Sequence, residues 1–178
     1  FEPSSSSLRL DGALHLPDWG VIRARGADAA TFLHGQLTQD VTHLDYLHAR
    51  LAGYCSPKGR LLATFVMWRS AEDEILLACS ADLLPATLKR LSMFVLRSKC
   101  KLDDASAQWP LHGLAGASAD ALVGSAVTAA PWSSGQHGSA RVIRLPGADG
   151  ISRYLWSGPQ EPPLAGLGLD AWRWLEVR

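Results

Sequence analysis

The sequence predicts an α+β fold, on three observations. Short apolar runs recur along the chain and are separated by turn clusters rich in Gly, Pro, Ser and Asp. Other segments place their apolar residues at helical spacing. Strand-to-helix steps are mixed with hairpins, and that mixture is the α+β pattern.

Taken in order, "LHLPDWGVIRARGADAATFLHGQLTQDV" reads as strand, turn and helix. Gly20 to Arg25 alternates weakly, Gly26 punctuates, and Asp28 is a candidate N-cap. Ala29, Phe32, Leu33 and Leu37 then share one helical face. "YLHARLAGYCSPKGRLLATFVMWRSAEDEILLACS" holds three apolar runs separated by "SPKG" and "SAEDE", which predicts an antiparallel meander. In "SADLLPATLKRLSMFVLRSKCKLDDAS" Asp82 can cap and Pro85 suits a first turn. Leu84, Leu88, Leu91 and Val95 give helical spacing, with Lys89, Arg90 and Arg97 off the stripe, before "CKLDDAS" returns to extended chain.

From "WPLHGLAGASADALVG" the pattern restarts: an apolar strand leads through Gly116 into a short helix, with Ser118 a candidate cap. Strands follow at Arg141 to Leu145 and Ile151 to Trp156, then a surface loop at "GPQEPP" and a helix in "DAWRWLEVR". The expected organisation is a flexible tail over 1–10, a discontinuous first domain over 11–48 and 108–178, and a second domain over 49–107.

Composition removes several functions. The chain of 178 residues is 47% hydrophobic, enough for one large or two small domains. It balances 17 Lys+Arg against 17 Asp+Glu, whereas a general nucleic-acid binder shows a basic excess or stripe. Direct nucleic-acid binding is therefore not expected. No apolar run approaches the roughly twenty residues of a membrane helix, so no membrane partner is expected. Cys55, Cys79 and Cys100 are widely spaced, with no C-x-x-C pair, which supports neither a disulfide framework nor a metal site. No export signal is visible, and a cytoplasmic location is expected. The chain begins on Phe1 and stops at Arg178 inside a helical pattern, so a piece of a longer protein is expected.

Candidate sites are few. "GYCSPKGR" does not match a P-loop, because Lys58-Gly59 is followed by Arg60 where Ser or Thr is needed. Its residue types favour a hairpin turn, with Pro57 setting φ and Gly59 tolerating positive φ. No nucleophile sits in a recognisable context. Cys55 lies beside the basic loop, and the simplest reading makes it a small buried residue. Trp132, Trp156, Trp172 and Trp174 suit core packing or a flat platform for a heteroaromatic ring. Glu176 sits beside an apolar helical stripe. It reads either as a solvated charge or as a carboxylate accepting two N–H bonds from an aminopyrimidine ring.

"GADAATFLHGQLTQDV", "GYCSPKGRLLATFVMWR", "LKRLSMFVLRSKCKLDD", "LHGLAG" and "WRWLEVR" follow one another in the order found in a known family. The chain resembles the N-terminal part of the YgfZ branch of the folate-binding proteins related to glycine-cleavage T-protein. The resemblance covers nearly everything after the tail, and G-Q-L-T-x-D-V followed by the x-x-K-G-R turn is its most specific part. It implies an aminomethyltransferase-like α+β fold, antiparallel sheets with packed helices around a central tetrahydrofolate site, incomplete at the C-terminus. It also implies support for building or maintaining iron–sulfur proteins, including a tRNA-thiomethylating enzyme. Iron–sulfur proteins or their assembly factors are the implied partners beside folate.

The family's K-G-C-Y-x-G-Q-E motif would lie beyond Arg178, and activity needing its Cys is not expected of this chain. In aminomethyl-transferring relatives the matching turn leads into an acidic pair. Here it reads Lys58-Gly59-Arg60, and a cation cannot stabilise positive charge developing on the folate nitrogen. The resemblance matches Glu176 to the carboxylate that anchors the pteridine. The expected folate-binding set is Glu176, Lys58, Arg60 and Trp174, with no catalytic residue and no metal. The alternative is a folate-dependent aminomethyltransferase of the T-protein type. A third reading is an interaction module whose pocket is filled by its own Trp side chains.

Overall fold

The computed structural model describes residues 9–176. The part of the expected tail before Arg9 lies outside the described residues. Of its last two residues, Leu10 packs against the core.

The chain forms ten strands and four helices: β1 (Gly12–His15), β2 (Trp19–Arg25), α1 (Ala29–Gln36), β3 (Arg50–Cys55), β4 (Leu61–Ala71), β5 (Glu74–Ser80), α2 (Leu84–Met93), β6 (Lys101–Asp104), β7 (Leu111–Ala115), α3 (Ala117–Val123), β8 (Ser134–His137), β9 (Ala140–Ala148), β10 (Ile151–Ser157) and α4 (Leu169–Glu176). They build two antiparallel five-stranded sheets, ordered β1-β7-β10-β9-β8 and β3-β4-β5-β2-β6. The α+β expectation holds.

The central strands of each sheet are buried on both faces, and strand alternation explains how. On β5, Ile75, Leu77 and Cys79 face α1 and α2, while Leu76 and Ala78 face the opposite sheet. On β4, Phe65 and Met67 take the helix side and Val66 and Trp68 the inner side. In the other sheet, Tyr154 and Trp156 of β10 pack beneath α3, and Leu155 points inward. The layers therefore run helices, sheet, sheet, helix. Strands buried on two sides read as continuous apolar runs, as "LLATFVMW" does.

Sheet membership divides the chain differently from the expected 11–48, 49–107 and 108–178 segments. β2 enters the second sheet between β5 and β6, and α1 packs on that sheet's outer face. The two sheets are stitched together at the loop before β3. There Ala49 N–H donates to Trp132 O at 2.8 Å, and Ser134 N–H donates to Leu47 O at 2.8 Å.

Of the three expected caps, Asp28 does take the N-cap position of α1, without a side-chain cap bond, while Asp82 and Ser118 do not cap their helices. The Asp28 carboxylate accepts the Lys99 N–H at 2.7 Å instead of bonding within α1. Leu83, not Asp82, precedes α2, and Pro85 does sit in its first turn. Gly116 precedes α3, while Ser118 donates both its N–H and its hydroxyl to Asp11. α2 also ends at Met93, so Val95, Arg97 and Lys99 lie past the helix.

A candidate ligand cleft between the sheets

The inner faces of the sheets do not close completely. A cavity of about 370 Å³ opens between them, and a second of about 590 Å³ adjoins it along the second sheet; both are lined by Trp19, Leu51, Val66 and Glu176. The β3–β4 hairpin supplies the wall of the larger one with Leu61 through Val66, and Asp18 and Ser80 add its polar groups. The smaller one is walled by Leu16, Trp132, Leu145, Leu155 and Trp172, with Arg153 and Glu176 as its charged members.

Each wall residue has a local reason for its position. Trp172 lies on the buried stripe of α4 and packs flat against β7 at Gly113. A Cβ there would stand 2.6–2.7 Å from three atoms of the indole, so only glycine lets the helix approach this closely. The indole N–H donates to Glu176 Oε1 at 2.9 Å, one helical turn on. Trp132 is held at φ +69°, a region that costs a non-glycine residue about 1–3 kcal/mol. Backbone bonds lock it there: its N–H donates to Arg144 O at 2.6 Å and its carbonyl accepts from Ala49.

Arg153 occupies an inward position of β10, in step with Leu155, where the alternation calls for an apolar side chain. Its guanidinium carbon stacks 4.9 Å from the Trp172 ring centroid. Burial lowers its pKa from the ordinary arginine value, while the field of Glu176 acts in the opposite direction.

Of the four residues expected at the site, the structure brings Glu176 to the cleft. Lys58 and Arg60 lie exposed on the hairpin turn, outside the lining of both cavities. That turn is a closed structural bend. Ser56 N–H donates to Arg60 O at 2.8 Å, Gly59 N–H donates to Ser56 O at 2.8 Å, and Gly59 takes φ +82°. Trp174 is half-buried against the core but lines neither cavity. Trp19, Asp18 and Arg153 were not singled out in the sequence. The available signal for Arg153 was a cation at an apolar register position of "ISRYLW". The centre is not filled by tryptophan, since open space adjoins Glu176.

Other chemistry is sparse. Among the described residues no group of three or more His, Cys, Asp or Glu could hold a metal ion. Burial pushes the Cys79 thiol up to about 11 and also raises Cys100. Among the described residues no helix is long and apolar enough to cross a membrane.

Two antiparallel five-stranded sheets with helices packed on their outer faces form an aminomethyltransferase-like α+β fold. Residues 14–158 match the GCVT N-terminal domain family, and the chain belongs to that family. It is 31% identical over 103 residues to an uncharacterized protein of Haemophilus influenzae, covering 58% of this chain and 36% of that one. It is 34% identical over 101 residues to the tRNA-modifying protein YgfZ of Hamiltonella defensa, covering 57% of this chain and 30% of that one. The chain spans about a third of the length of the curated relatives it matches. The glycine cleavage system aminomethyltransferase T from Bartonella henselae superposes with a TM-score of 0.70 at 18% identity, over 85% of this chain and 43% of that one. That likeness is one of fold.

Proposed function

We propose that this chain binds tetrahydrofolate in the inter-sheet cleft, the pterin ring lying among Trp19, Trp132 and Trp172, and that it acts as an accessory protein in tRNA modification. In this reading it supports iron–sulfur proteins in the cytoplasm, including a tRNA-thiomethylating enzyme, and does not transfer a one-carbon group itself. The observation that carries the reading is the apolar, indole-walled cavity of about 370 Å³ with a carboxylate, Glu176, at its edge. A flat apolar ring gains from stacking and burial there, and Glu176 retains acceptor capacity for ring N–H groups beyond the bond from Trp172. The β3–β4 hairpin brings leucines and no acid to the cleft, which supports holding over transfer.

The test is titration of tetrahydrofolate under reducing conditions, followed by quenching of tryptophan fluorescence. Saturable quenching is expected. Trp19→Ala should weaken binding by about 5- to 150-fold, corresponding to about 1–3 kcal/mol for stacking on one aromatic face. Glu176→Ala should weaken it as well. Equal affinity of wild type and Glu176→Ala would remove Glu176 from the site, and absence of saturable quenching would overturn the folate reading.

One observation favours a T-protein-type aminomethyltransferase as second reading: Asp18 reaches the larger cavity from outside the hairpin. An anion there could serve the proton transfer that the Lys58–Arg60 turn cannot. Folate-dependent release of an aminomethyl group, abolished in Asp18→Asn, would establish that reading in place of the first.

A further inference from the structure

Arg153 carries a shielded donor without a partner in the cleft. A guanidinium carries five N–H donors. One of them, on Nη1, reaches Pro146 O at 3.4 Å, a long bond, and Nε is shielded from solvent without a hydrogen-bond partner. Glu176, whose field acts on Arg153, spends Oε1 on the Trp172 indole. A buried donor left unmatched costs about 1–3 kcal/mol, more when it is charged. Arg153 stacks on Trp172 and lines the smaller cavity; its Nε is closed off from open space, so Nη2, which makes no hydrogen bond, is the nitrogen left for a ligand there.

We propose that Arg153 is the specificity-determining residue of this cleft, donating to the oxo group of a 2-amino-4-oxopyrimidine edge while Glu176 accepts from the neighbouring N–H groups. The inference rests on the heterocycle reading above and deepens it by naming the edge that is recognised. The cleft offers a donor group, Arg153 over the Trp172 ring, and an acceptor group, Glu176 at the Trp172 indole N–H. Such a pair complements a ring carbonyl next to ring N–H, the edge shared by pterins and guanine. A 4-amino ring would instead point donors at a cation and leave Arg153 unmatched. Replacement of the oxo group should then lower affinity by about 10- to 100-fold, the range for a hydrogen bond to a charged group.

The experiment measures affinities of the whole chain for tetrahydrofolate and its 4-amino-4-deoxy counterpart, and for guanosine and 2,6-diaminopurine riboside. The same set is run on Arg153→Met and Arg153→Lys, each checked for its thermal transition. Wild type should prefer the oxo member of the bound pair. Arg153→Met should weaken the oxo ligand, leave the amino ligand nearly unchanged, and bring their ratio close to one. Arg153→Lys, with charge but no planar fork, should fall between.

Equal wild-type affinity within a pair, or a preference that survives in both Arg153 variants, overturns the proposal and leaves folate binding standing. Guanosine binding without folate binding would support the edge assignment and overturn the folate reading. Binding of none of the four overturns both.

Discussion

Gly113→Ala tests the seating of Trp172, on which the cleft depends. The new methyl would meet three atoms of the indole at 2.6–2.7 Å, where carbon atoms prefer about 3.5–4.0 Å. Close to 1 Å of separation must come from moving the ring or the strand. Trp172 is 2% exposed and is tied to Glu176 and Arg153, so it has little room to yield. Overpacking of this kind costs about 1–3 kcal/mol. For a chain of this size each kcal/mol lowers Tm by about 2–4 °C, giving a fall of about 2–12 °C. Gly35→Ala is the opposite case. It lies in α1 with nothing within 4 Å of the added carbon, and should stabilise by about 0.5–1 kcal/mol.

Circular dichroism melts and urea unfolding read both changes. A double-mutant cycle assigns the cause. In a Trp172→Leu background Gly113→Ala should cost less than about 0.5 kcal/mol, because the clashing ring is gone. Gly113→Ala matching wild type, or costing the same in both backgrounds, would refute the packing argument. The variant should also lose affinity for the cleft ligand, since the indole has to move.

Two further outcomes follow from buried titratable groups. His112 is 8% exposed and faces His15 with ring centroids 5.1 Å apart; burial first, then His15, lowers its pKa below 6.5. The unfolded chain therefore binds the proton more readily, and this contribution to stability is present above about pH 6.5 and lost as pH falls through the folded value. His112→Leu should flatten the decline in urea midpoint between about pH 7 and 5, and an unchanged profile would exclude His112 as its source. Cys79, 1% exposed with its thiol pushed up to about 11, should resist iodoacetamide at pH 8 in the native protein and react fully in urea. Peptide mass spectrometry reads the difference, and rapid native labelling would contradict the packing of β5.

Local chemistry determined much of this protein. The bend at Lys58-Gly59-Arg60 needed a positive φ and had a glycine to take it. The meander β3–β5 followed from apolar runs broken by turn residues, and the long apolar run of β4 reflected burial on both faces. Tertiary structure decided the rest, because the deciding partners are far away in sequence. Asp28 and Ser118 had capping chemistry but found better partners in Lys99 and Asp11, 71 and 107 residues distant. Trp172 and Trp174 are indistinguishable by type, yet residues two apart on a helix point to nearly opposite sides. Only the docking of α4 on Gly113 selected Trp172 to wall the cleft. Arg153 became a candidate for recognition in the same way, when folding brought its strand beside Trp172 and Glu176 and shielded its Nε without a partner.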